Sequence, residues 1–238
     1  MPTIASENLL KAILELNENG EEVIAARLAE FLHISSPAVS MALKRLQGKK
    51  QVKISREHTI HLTRAGFRVA ADLVRRHRLV ERLLTDMLHM PWEQVHDDAE
   101  KLEHAISPEL ERRLLNLFGE DGACPHGSPF SPSVPRPRNA RCFPLTDAPQ
   151  DSVLRVVRIA EVHEHEKGFL NSLAAVRLVP GSKLTLLRKS FDGVLELRVG
   201  ERNATFSSKS GEMIWVENAP DRSLQKAGRS PGKRRNPK

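Results

Sequence analysis

The sequence predicts an α+β multidomain protein, with an N-terminal winged helix-turn-helix, a helical middle and a small C-terminal β-barrel. Three observations predict it. Apolar residues recur at helical spacing up to about residue 119, interrupted by two short alternating runs near residues 51–63. A stretch with seven prolines occupies residues 120–151. Beyond Ser152 the pattern changes to short β-type runs. The expected domains are 1–63, 64–119, a linker at 120–151, a barrel at 152–220 and a disordered basic tail at 221–238.

Leu9, Leu10, Ile13, Leu14 and Leu16 mark a first helix, with Ser6 as its cap and Gly20 as its end. Val23, Ile24, Leu28, Phe31 and Leu32 mark a second. Ser35-Ser36-Pro37 opens a third, because serine caps well and proline suits the first turn. QVKISREHTIHLT reads as a hairpin. Three helices and a hairpin give the winged helix-turn-helix, whose third helix faces the major groove. A long helix follows from Thr63 to about His89, and Pro91 begins another that reaches about Ile106. Ser107-Pro108 caps a last one that ends near Gly119. VLRVVRIAEV, AAVRLV, KLTLLRK, VLELRV, ATFS and EMIWVEN are the expected strands.

The net charge of +7 is a tail effect, since residues 222–238 hold seven basic residues and no acid. More telling is the acid-free interval 33–56, which carries Lys44, Arg45, Lys49, Lys50, Lys53 and Arg56. Such a stripe can neutralise phosphates; the competing reading is a solvated helix face. Without tyrosine and with 4% aromatics, stacking on single strands is not expected. No apolar run reaches the 18 residues of a membrane span, and the N-terminus lacks a secretion signal. Two cysteines are too few for a disulfide framework, so a cytoplasmic protein is expected.

His77 and Glu81 lie four apart, on one helix face. His96, Glu100, Glu103 and His104 sit at i, i+4, i+7 and i+8, the register normally filled by core leucines. Acids turned inward need a compensating partner, and a divalent cation supplies one. Imidazole with carboxylate suits Mn²⁺, Fe²⁺, Co²⁺ or Zn²⁺. A solvated surface pair is the competing reading of any single His-x3-Glu.

The winged helix, HRLVERLLTDML, VHDDAEKLEHAISPELERRL, the CPHGSPF turn and the terminal β-module together resemble the diphtheria toxin repressor and manganese transport regulator family. The resemblance implies a cytoplasmic homodimer whose metal-loaded form binds palindromic double-stranded operator DNA and represses metal-uptake genes. It implies no enzyme activity, no membrane association and no small organic substrate. It also implies that the barrel is SH3-like, of FeoA type. Two metal sites per subunit follow. One uses His77, Glu81 and His96, completed by Glu166 of the barrel, with Phe169 where an amide ligand would stand. The other uses Asn8, Glu100, Glu103 and His104. Iron-type relatives carry sulfur in place of Glu100, so the carboxylate favours manganese. Lys11 replaces an acid of the strict manganese branch, which argues against a closely spaced metal pair of that kind. Cys124 and His126 read as part of a rigid turn rather than a metal pair, and Cys142 as an inert thiol. For DNA, the resemblance points to Ser35 and Pro37 at base edges, and to Arg27, Ser36, Ser40, Lys44, Lys49 and Lys50 at phosphates. The alternatives are a constitutive DNA-binding protein with a structural metal site, a metal-dependent hydrolase, and an architectural DNA binder acting through its tail.

Overall fold

A computed structural model describes residues 3–132, 142–160 and 167–219. Helices α1 (Ile4–Glu18), α2 (Ala25–Leu32) and α3 (Ser36–Gly48) precede an antiparallel hairpin of β1 (Val52–Ile54) and β2 (Ile60–Leu62). The first cap is Thr3 rather than Ser6; its side chain accepts from the Ser6 amide, which places the helix start one turn earlier than the apolar periodicity indicates. Ser35 caps α3 by accepting from the Ala38 amide at 3.4 Å. Leu9, Ile13, Leu28, Val39, Leu46 and Ile60 are fully enclosed in one core. Gly66 closes the wing onto the next helix, since a Cβ there would stand 2.0 Å from the Gln51 carbonyl oxygen.

Helix α4 (Arg64–Asp86) is the spine, and α1 packs along it. Pro91 does not begin a helix: residues 91–95 form a turn, and α5 spans His96–Leu102. The chain then tightens into a 3-10 turn at Glu103–Ala105. The single helix expected to reach Ile106 is therefore split. Glu103 and His104 leave the face of His96, because a 3-10 turn has about three residues rather than 3.6. Helix α6 (Pro108–Phe118) follows, capped by Ser107.

The barrel sheet runs β3 (Phe143–Pro144), β8 (Ile214–Asn218), β4 (Ser152–Ile159), β5 (Lys183–Lys189), β6 (Val194–Val199) and β7 (Arg202–Ser207), in that spatial order. Every pairing is antiparallel. The connector is shorter than 120–151. Phe143 and Pro144 pair with Val216 and Trp215, Leu145 and Ala148 enter the barrel core, and Phe130 packs on α4 and α6. AAVRLV is not a strand; it spans the end of helix α7 (Lys167–Ala175) and a turn that buries Leu178. The short helix α8 (Ser208–Glu212) completes the fold.

Strand β4 also joins the two halves. Buried Arg158 lies over Trp215 and donates to the Glu18 carbonyl and the Asn19 side chain at the end of α1, both at 3.0 Å. One residue on, the Ile159 amide donates to the His126 carbonyl at 2.8 Å. Gly127 permits this approach: its φ is +86°, and a Cβ would stand 2.3 Å from the Val157 carbonyl oxygen.

Candidate metal centre

Helical spacing on α4 places His77 and Glu81 on the inward face, and neither is exposed at all. His96, the first residue of α5, points at the same spot. His77 Nε2 lies 3.1 Å from Glu81 Oε1 and 3.1 Å from His96 Nδ1, and the third side of this triangle is 3.3 Å. Donor atoms about 3 Å apart match neighbouring ligands about 2.1 Å from one ion. The donor set and its spacing therefore fit a divalent cation.

The other oxygen of Glu81 serves a second group. Oε2 meets His126 Nδ1 at 3.1 Å, and Cys124 Sγ lies 4.0 Å from that nitrogen. The three ligand atoms of Glu81, Cys124 and His126 lie within 4.8 Å of one another, all in buried residues. Trp92 covers His126 edge-on, with ring centroids 5.3 Å apart. The CPHG turn thus does more than turn: it delivers a thiol and an imidazole to the carboxylate already chosen by α4. The spacing of Cys124 and His126 marked them as a possible pair, but nothing in the sequence joined them to Glu81, because a turn has no periodicity and Cys124 lies far from Glu81 along the chain.

Electrostatics match a site built around shared protons or an ion. Burial opposes the charge on Glu81, but His126 and His77 outweigh it and hold the carboxyl well below its usual range. Burial and Lys11 disfavour a charged His77, yet Glu81 and Glu103 win and raise it to about 10. Burial lowers His96. His77 Nδ1 meets Glu103 Oε2 at 2.6 Å. That contact fixes the ring so that Nε2 faces Glu81 and His96, the usual outer support of a metal-binding imidazole.

The second expected group is brought together in part. His104 Nε2 lies 2.8 Å from Asn8 Oδ1, and its Nδ1 lies 3.0 Å from Glu7 Oε2. Glu103 Oε1 is 3.6 Å from His104 Nε2. Glu100 Oε1 instead turns towards His96 Nε2 at 3.7 Å and Lys11 Nζ at 3.8 Å. Asn8, Glu103 and His104 fit a hard cation through two oxygens and one nitrogen. Glu7 was not foreseen, although an acid beside Asn8 in the first turn of α1 was the available signal. Glu166 lies outside the described residues. Phe169 packs in the barrel core, edge-on to Phe206 at 6.4 Å.

Ser35, Ser36, Pro37, Ser40, Lys44, Lys49 and Lys50 are exposed along the start of α3 and its end. Arg27 differs: it is half-buried and pairs with Glu21 at 2.7 Å and Glu30 at 3.2 Å.

Residues 63–131 match the model of the iron dependent repressor metal binding and dimerisation domain, and residues 143–218 match the FeoA domain. The chain is 30% identical to the iron-dependent repressor IdeR of Mycobacterium tuberculosis over 222 residues, covering 89% of this chain and 96% of that one. It is 30% identical to the diphtheria toxin repressor of Corynebacterium diphtheriae over 223 residues, with the same coverages. Among solved structures, the manganese regulator SloR superposes with a TM-score of 0.76 at 28% identity, covering 90% of this chain and 98% of SloR. A manganese-dependent transcriptional repressor in complex with manganese gives 0.78 at 28% identity, covering 90% of this chain and all of the other.

Proposed function

The chain belongs to the diphtheria toxin repressor and manganese transport regulator family of metal-dependent transcriptional repressors, and from that premise we propose a homodimeric repressor of metal-uptake genes that favours Mn²⁺ over Fe²⁺. The family consists of regulators, not enzymes. The observation that carries the reading is the buried donor array around Glu81, built on α4 and α5 and joined to α1 through Glu103.

Two metal sites per subunit are proposed. His77, Glu81 and His96 hold one, with Cys124 and His126 beside Glu81 and Glu166 as the barrel's contribution. Asn8, Glu103 and His104 hold the other, with Glu100 alongside. A bound cation supplies the positive charge that these buried carboxylates require. Glu103 orients His77 on one side and faces His104 on the other, so α1 is tied to the helices that carry both groups. Because α1 packs under α3, its position sets where Ser35, Ser36, Pro37 and Ser40 meet DNA, with Lys44, Lys49 and Lys50 at phosphates. Arg27 is the weakest of the DNA residues, being engaged by two acids. Exposed Leu110 and Leu117 lie seven apart on α6, and Met87 and Leu88 follow the end of α4; these apolar side chains suit a second copy of the chain.

Duplex selection from a random pool, with Mn²⁺ or with chelator, tests the reading. The expected product is a palindrome with half-sites about one helical turn apart, roughly 34 Å. Mn²⁺ is expected to tighten binding 5–150-fold, the range of a coupling of about 1–3 kcal/mol. The same duplexes bound equally well in chelator would select the constitutive alternative.

A further inference from the structure

Lys11 is the one buried ammonium among the described residues of the two proposed sites, and neither site uses it. It is 3% exposed and projects from the middle of α1. Its Nζ donates to Glu103 Oε2 at 2.8 Å and stands 3.0 Å from His77 Nδ1. Glu100 and Glu15 each place an oxygen 3.8 Å away. A single side chain of α1 thereby touches α4, α5 and the 3-10 turn after it. A cation held by Asn8, Glu103 and His104 would tie α1 to that same 3-10 turn.

Two of these acids, Glu15 and Glu103, are almost fully buried. Buried carboxylates without a counter-charge are strongly destabilising, and removing one partner of such a pair leaves the other charge uncompensated. Lys11 is the α1 side chain that brings positive charge to both acids. Glu103 Oε2 already has two partners, His77 and Lys11, before any ion arrives. Its other oxygen remains on the His104 side.

We propose that Lys11 is a resident cation, a positioning residue that keeps α1 clamped to the metal-binding helices when no metal is present. A metal at Asn8, Glu103 and His104 then strengthens a tether that exists already, rather than creating it. This inference rests on the metal-site reading above. It explains how a chain with an uncharged first-helix ligand, Asn8, keeps α1 in place: the charge comes from a residue one turn further along the same helix.

Hydrogen–deuterium exchange of α1 in the full chain tests it, in EDTA and with Mn²⁺ as the only added ion. Wild type in EDTA should protect residues 9–16 strongly. Lys11→Met should exchange there about ten-fold faster in EDTA, and Mn²⁺ should restore most of the protection, because the vacated carboxylates then attract the ion. Lys11→Arg should behave as wild type. Wild type protected only with Mn²⁺, or Lys11→Met protected in EDTA, overturns the proposal. So does loss of protection in Lys11→Met that Mn²⁺ does not restore while elemental analysis shows metal bound, since that is packing alone. Should Lys11→Met fail to fold, a Glu103→Gln chain gives the same reading, with faster exchange in EDTA expected and unchanged exchange overturning it. Elemental analysis of the wild type separates the two ideas. Wild type that binds no Mn²⁺ sinks the metal-site reading, while its exchange in EDTA still decides the role of Lys11.

Discussion

The cluster around Glu81 and the junction around His104 are built on different plans. The first draws on α4, α5 and the CPHG turn, all within one helical domain and its flank, and its side chains are buried, His96 being the most exposed at 11%. The second spans two domains. Asn8 and Glu7 come from α1, His104 comes from the 3-10 turn, and the side chains of His104 and Glu7 remain 15% and 26% exposed. A buried cluster carried on helices has its geometry set by their packing. A half-open junction between domains has its geometry decided by whatever bridges it. The donor chemistry differs too. Cys124 and His126 would add softer ligands at Glu81, whereas Asn8 and Glu103 would offer hard oxygen at the junction.

The largest expected effect comes from breaking the buried cluster. In Glu81→Gln the shared carboxylate is lost, and three imidazoles face one neutral amide. Mn²⁺ affinity at this site should fall on the order of 100-fold, read as one fewer tightly held ion per subunit by calorimetry with elemental analysis. The junction should keep its ion, since Glu81 does not touch Asn8 or His104. Equal loss at both sites would mean that they act as one centre, and the contrast drawn above would fail.

That contrast was only half legible in the sequence. The i, i+4 pair His77 and Glu81 could be placed because helical period fixes which residues share a face, and the long apolar pattern of α4 fixes which face is inside. The same rule misled at Glu103 and His104, where the helix tightens and the two side chains diverge towards His77 and α1. Contacts between residues 66 and 92 apart, such as Lys11 with His77 and Glu103, leave no trace in local periodicity. The barrel's first strand was hidden for a related reason. Two residues ending in proline carry no alternation, and only pairing with Trp215 and Val216 makes Phe143–Pro144 a strand. Apolar AAVRLV looked like β because β-branched residues are common in it, yet the run is divided between the last turn of α7 and the turn that follows, in which Leu178 is buried.

A smaller effect sharpens the difference in donor chemistry. Cys124→Ser removes the thiol beside Glu81 while keeping the turn's size and its amide bond to the Ser128 carbonyl. Zn²⁺ and Co²⁺ should bind about ten-fold more weakly, with Mn²⁺ changed less, because thiolate favours the softer ions. Wild type loaded with Co²⁺ should show a sulfur-to-cobalt charge-transfer band that Cys124→Ser lacks. A wild-type spectrum without that band would leave Cys124 a packing residue and return the turn to a purely structural role.

The smallest effect probes the open junction. Glu7 holds His104 from the side away from Asn8, at 3.0 Å and partly in solvent. Exposed pairs of this kind contribute little, so Glu7→Gln should cost about 0.5 kcal/mol. In a chain of this length that lowers the melting temperature by about 1–2 °C, and 0.5 M salt should erase most of the difference, since screening at about that strength reaches within a few ångströms. The ratio of Mn²⁺ ions to subunits should not change. A reduced ratio would instead make Glu7 a ligand and give the junction a second carboxylate beside Glu103. A melting loss exceeding that of Glu81→Gln would invert the comparison, because the junction rather than the buried cluster would then be holding the metal-free fold together.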